Sequence, residues 1–121
     1  MKIYAIRGAT TVSANDEAAV KKNTAALIGA LMSANGLDKS DAVSLIISST
    51  ADITAFYPAR AVRESGLLDC ALFSVLEPPI TDSVPLCIRA LLTVQPGRDL
   101  VPRHVYLEGA KVLRPDIDHN R

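Results

Sequence analysis

The period of apolar positions changes several times along the chain, and each change predicts an element. Ile3-Tyr4-Ala5-Ile6 reads as a first strand that Arg7-Gly8 ends, with Gly8 marking a bulge or a close backbone approach. Beyond Ser13 the spacing becomes helical. Val20, Thr24, Leu27, Ile28, Leu31 and Met32 fall on one side, and Lys21, Lys22 and Asn23 fall largely on the other. Ser13 or Asn15 is expected to cap this helix, Asp16 and Glu17 to complement its positive end, and Asn35-Gly36 to close it. After a loop or single turn at Leu37-Asp38-Lys39-Ser40-Asp41, a branched run from Ala42 to Ser49 reads as a strand. Its polar exit, Ser48-Ser49-Thr50, is either ordinary turn chemistry or a set of ligand-facing hydroxyls.

Pro58 suits a first helical position, so Ala59 to Ser65 is expected to be a short helix stopped by Gly66. Ala71 to Leu76 is a strand, and Glu77-Pro78-Pro79 must then be extended or turning. A polar connection, Ile80 to Pro85, leads to the apolar strand Cys87 to Val94. Arg103-His104-Val105-Tyr106-Leu107 is the last expected strand, Lys111 to Asp116 a tail, and 117–121 a frayed end. An aliphatic core with both strands and helices suits a sheet covered by helices, in one domain over residues 1–116.

One residue breaks the pattern. Arg89 sits inside an apolar strand, and a guanidinium is costly to bury without a partner. Either this strand lies at an edge and Arg89 reaches water, or the cation sits beneath a pocket. Alternation puts Cys87, Arg89, Leu91 and Thr93 on one face and Ile88, Ala90, Leu92 and Val94 on the other. If the strands carrying Arg7, Arg89 and Tyr106 are neighbours, two guanidiniums and a phenol converge, with Glu77 as an acceptor. A small di-anion is the natural guest of such a pocket, because arginine forks match carboxylates. The competing explanation is a structural ion pair between Arg89 and Glu77. For Arg60 and Arg63, one helical turn apart, the plainer reading is a solvated basic edge.

Composition narrows the field. The 121 residues are 49% hydrophobic with 4% aromatic residues and no Trp, so the core is aliphatic. Thirteen basic side chains balance thirteen acidic ones, and no basic cluster suggests a nucleic-acid footprint. Cys70 and Cys87 lack metal spacing and are expected to be reduced, partly buried thiols. His104 and His119 are too isolated to point to a metal. The sequence carries no signal-peptide pattern and no apolar run of membrane-spanning length, so a cytoplasmic protein is expected. Without a nucleophile–base pair or cofactor motif, any chemistry here should rest on positioned charge.

Five blocks taken together resemble the monofunctional chorismate mutases of the Bacillus type. They are Ile6-Arg7-Gly8-Ala9-Thr10-Thr11, Tyr57-Pro58-Ala59-Arg60-Ala61-Val62-Arg63-Glu64, Cys87-Ile88-Arg89, Arg103-His104-Val105-Tyr106-Leu107-Glu108 and Leu113-Arg114-Pro115-Asp116. They run in order over nearly the whole chain at nearly fixed spacing. The resemblance implies a homotrimer of mixed α/β subunits packed as a pseudo-barrel, with active sites between subunits. It implies the cofactor-free Claisen rearrangement of chorismate to prephenate, a step toward Phe and Tyr.

Residue by residue, the resemblance implies that Arg89 contacts the ether oxygen of the breaking bond, that Arg7 and Tyr106 hold a carboxylate, and that Glu77 accepts from the ring hydroxyl. Arg89, Glu77 and Arg7 would be catalytic. Arg63 and Arg114 would favour the di-anion from near the cleft, and Tyr57, Phe73 and Ser74 would be walls given by the neighbouring subunit. Arg60, Val75, Leu76 and Leu113 complete the implied substrate-binding set. The chain departs from the family in several places. Tyr57 replaces a common Phe, Ser74 a Cys found in some members and Arg60 a common Lys. Pro78-Pro79 stiffen the segment after Glu77, and one residue is missing around Ser65-Gly66. Two other readings remain open: a carboxylate-binding trimer or small-molecule deaminase on a similar trimeric fold, and a catalytically silent scaffolding trimer.

Overall fold

A computed structural model describes residues 1–117. The strands are β1 (Tyr4–Thr11), β2 (Ala42–Ser49), β3 (Ala71–Leu76), β4 (Cys87–Val94) and β5 (Val105–Tyr106). Two α-helices, α1 (Glu17–Ala34) and α2 (Pro58–Ser65), and two 3-10 turns, Lys39–Asp41 and Glu108–Leu113, complete the chain. The strands form one mixed sheet in the order β3-β2-β4-β1-β5. β4 is antiparallel to both neighbours, while β2–β3 and β1–β5 are parallel pairs.

Both helices lie on one face of this sheet, α1 against β1 and β5, α2 against β2 and β3. Ile6, Leu45, Ile47, Ile88, Leu92 and Val94 point into that layer and are buried against Val20, Leu27, Ile28, Leu31 and Val62. Gly8 faces the same way. A Cβ there would stand 3.0 Å from a methyl of Leu31 and 3.1 Å from one of Leu27, so its absence lets α1 settle onto β1. α2 has Pro58 in its first turn and ends at Gly66, whose φ of 71° is left-handed.

Several expectations are corrected. β1 does not stop at Arg7-Gly8 but runs through it in unbroken register with β4, so the glycine serves close approach and not a bulge. The N-cap of α1 is Asp16, whose carboxylate accepts from the Ala19 N–H at 2.7 Å. Asn15 is used elsewhere, since its side-chain oxygen accepts from the Thr54 and Ala55 N–H groups. The last strand is two residues long instead of five: the Arg103 N–H donates to the Asn35 side chain and not to a neighbouring strand. The expected tail holds a 3-10 turn that lays Ala110 on Ala9 and Tyr106, with Leu113 and Ile117 packed alongside. Of the expected frayed end, residues 118–121, His119 among them, lie outside the described residues. No described helix is long and apolar enough to cross a membrane.

Candidate active site

Since β4 is the central strand, Arg89 is not an edge residue. It reaches the face of the sheet that no helix covers. Register aligns one residue from each strand across that face: Val75 on β3, Ser48 on β2, Arg89 on β4, Ala9 on β1 and Tyr106 on β5. Ala9 is the small member of this row and leaves a hollow between the arginine and the tyrosine. Arg7, two residues before Ala9, shares its face and lies opposite Leu91. The result is a cleft of about 340 Å³ lined by these residues with Ile46 and Glu77.

Glu77 follows β3 directly, and its N–H donates to the Ser49 carbonyl at 2.9 Å, extending the β2–β3 ladder by one residue. Its Oε1 accepts from the Ser48 hydroxyl and lies 3.5 Å from Arg89 Nε. That ion-pair contact lacks hydrogen-bond geometry, and Arg89 Nε is buried with no hydrogen-bond partner. The expected Arg89–Glu77 pair therefore exists, but it is loose and opens onto a cavity. On the other side of Arg89 lies Cys87, a buried unpaired thiol whose pKa is pushed up by burial despite the guanidinium beside it.

The β5 end of the cleft is tied together by its own contacts. His104 Nδ1 accepts from the Arg7 N–H at 3.0 Å. Burial holds the His104 pKa below its usual value, and the Arg114 and Arg7 cations act in the same direction. Arg114 forms a two-pronged pair with Asp116, at 3.0 and 2.9 Å, and also hydrogen-bonds Tyr106.

Of the residues singled out in the sequence, Arg7, Val75, Glu77, Arg89 and Tyr106 line the cleft together. Arg114 reaches it through Tyr106, and Leu113 packs on the cluster around Tyr106. Tyr57, Arg60, Arg63, Phe73, Ser74 and Leu76 lie outside it and are exposed. Arg60 pairs with Glu64 at 3.6 Å and stacks on Phe56, as a solvated basic edge does. Leu91, which alternation put on the Arg89 face, and Ser48, one of the hydroxyls offered as ligand-facing, line the cleft too, and Ala9 and Ile46 join them without having been anticipated. Alternation from Arg7 could have found Ala9; only strand order brings in Ile46. Among the described residues, no group of His, Cys, Asp and Glu is gathered that could hold a metal.

With two cations against one carboxylate, the cleft suits a small di-anion, and its acceptor and phenol can orient hydroxyl and carboxylate groups. The chain is also similar to known proteins. The family described as chorismate mutase type I matches residues 3–117. Chorismate mutase AroH of Bacillus subtilis (strain 168) is 39% identical over 120 residues, covering 97% of this chain and 94% of the relative. Chorismate mutase AroH of Thermus thermophilus is 36% identical over 119 residues, covering 96% and 97%. The solved chorismate mutase from Clostridium thermocellum superposes with a TM-score of 0.84 at 39% identity, covering 90% of this chain and 98% of that one.

Proposed function

The chain belongs to the type I chorismate mutase family, isomerases of aromatic amino-acid biosynthesis that turn chorismate into prephenate, and we propose that the cleft around Arg89 is where it does so. The observation that carries this reading is the row Val75–Ser48–Arg89–Ala9–Tyr106, which sets a cation on the central strand above a hollow of substrate size.

In this reaction the enol-ether C–O bond breaks while a C–C bond forms within the same molecule. Negative charge grows on the ether oxygen as the bond stretches. Arg89 faces that oxygen, so its fixed charge stabilises the transition state more than the ground state. Arg7 and Tyr106 hold a carboxylate, and Glu77 accepts from the ring hydroxyl. Together they select the compact conformer in which the reacting ends meet, and this removes much of the entropic part of the barrier. The domain that does this spans residues 1–116, and its place of work is the cytoplasm.

One chain leaves the site open. Phe73 is 66% exposed, and Ile46 and Val75 add apolar surface to the same uncovered side of the sheet, while Tyr57, 72% exposed, stands at the N-terminus of α2. A patch of this kind marks an interface. Three copies of the chain cover it, with Tyr57, Arg60, Arg63, Phe73, Ser74 and Leu76 of one closing the cleft of the next.

Two measurements test this. Chorismate absorbance should fall as prephenate forms, and Arg89→Lys should lose about 10²–10³-fold in kcat, since a point cation does not reproduce the planar fork. Near-normal turnover in that variant would remove Arg89 from its role. Solution mass should be three times that of the chain; an active monomer would overturn the shared site.

A further inference from the structure

Glu77 carries a long, rotatable side chain, and a carboxylate that must accept from one ring hydroxyl needs one orientation. Its backbone is already fixed. The N–H is bonded to Ser49, and Pro78 restricts Glu77 itself to extended conformations. What remains is side-chain rotation, and one neighbour governs it. Ser48 is 7% exposed, sits on β2 opposite both Arg89 and Val75, and has a single proton to donate. That proton goes to Glu77 Oε1. Arg89 Nε approaches the same oxygen. No described residue donates to Oε2.

We propose that Ser48 is a positioning residue: by occupying Oε1 it commits Glu77 to present Oε2 to the ligand hydroxyl, and it keeps Oε1 beside Arg89. The proposal rests on the cleft assignment above and goes further, because it makes one carboxylate oxygen structural and the other ligand-binding. The Arg89–Glu77 contact lacks hydrogen-bond geometry, so the arginine keeps part of its hydrogen-bonding capacity for the ligand. Ser48 touches neither reacting bond. It acts through Glu77.

The test is a double-mutant cycle in the full-length protein. Ser48→Ala should raise KM for chorismate about ten-fold, the scale of one hydrogen bond to a charged group, with a smaller change in kcat. Ser48→Thr keeps the donor and should return KM to within about two-fold of wild type. In a Glu77→Ala background, Ser48→Ala should have no further effect, because the residue it acts through is gone. A merely structural serine would instead give additive losses and a lowered melting temperature. If the alanine variant does not fold, Ser48→Cys, of similar shape and with a weak donor, carries the same expectation. A silent Ser48→Ala or additive losses, with Glu77→Ala severe, would overturn this proposal alone. Normal kinetics in Glu77→Ala would overturn it together with the cleft assignment.

Discussion

The two faces of the sheet are built from the same strands and obey different rules. On β4, Ile88, Ala90, Leu92 and Val94 turn toward the helices and are buried. Their neighbours Arg89, Leu91 and Thr93 turn to the uncovered side. The covered face is closely filled by aliphatic side chains, and even a single Cβ at Gly8 meets resistance. The open face carries the charges, a hollow and unmatched apolar surface. Alternation thus separates stability from chemistry at a spacing of one residue. A polar requirement on one face costs the other face nothing, and for this reason a cation can stand on the central strand at all.

This contrast can be broken at several points. The largest stability effect should come from Leu92→Ala, which opens a cavity in the covered face and should cost about 3 kcal/mol in a denaturant titration. Phe73→Glu, on the open face, should spare the fold by circular dichroism yet shift the solution mass below that of the proposed trimer; an unchanged mass would show that Phe73 is not covered. Gly8→Ala should cost about 1 kcal/mol as the Leu27 and Leu31 methyls shift.

The smallest effect is a pH dependence at the seam between the faces. His104 has a lowered folded pKa, chiefly through burial, and its neutral Nδ1 accepts from Arg7. The unfolded chain therefore takes up this proton first as pH falls. The stability His104 contributes is whole above the unfolded value of about 6.5 and drains away as pH drops through the lower folded value. Wild type should accordingly lose more melting temperature than His104→Gln between about pH 7.5 and about pH 5.5. Equal slopes would mean the imidazole titrates as it does in the unfolded chain.

The comparison also shows what was legible in the sequence. β4 and α2 were readable to the residue, because alternation, Pro58 and Gly66 are local signals. Shortfalls came where side chains replaced backbone partners. Asn35 takes the Arg103 N–H and His104 takes the Arg7 N–H, so a β-rich segment pairs over two residues only. The turn at Glu108–Leu113 was hidden because Glu108 has a φ of 51°, which its residue type does not advertise. Arg89 stood out as an anomaly in the apolar pattern of its strand. Whether it faced water or a cavity depended on strand order, and no local period encodes that β4 inserts between β2 and β1. The order of the five family-like blocks supplied what periodicity could not. Ser48 stayed undecided between a turn hydroxyl and a ligand-facing one even so, since a serine leaving a strand looks like any turn residue until Glu77 is seen beside it.

The insertion of β4 also has a consequence for how the molecule comes into being. The first strand pairs with β4 and β5 alone, and both lie in the second half of the chain. During synthesis β1 and α1 therefore emerge with no strand to pair, although β2 can pair with β3 as soon as residues 71–76 appear, and the loop-closure entropy of the β1–β4 ladder is met late. The nascent chain carries β1 unpaired until residues 87–94 arrive. Its vulnerability to aggregation is thus concentrated in that interval. The segment that ends it is the one bearing Arg89, so the strand that joins β1 to the β2–β3 pair also brings in the cation of the candidate cleft.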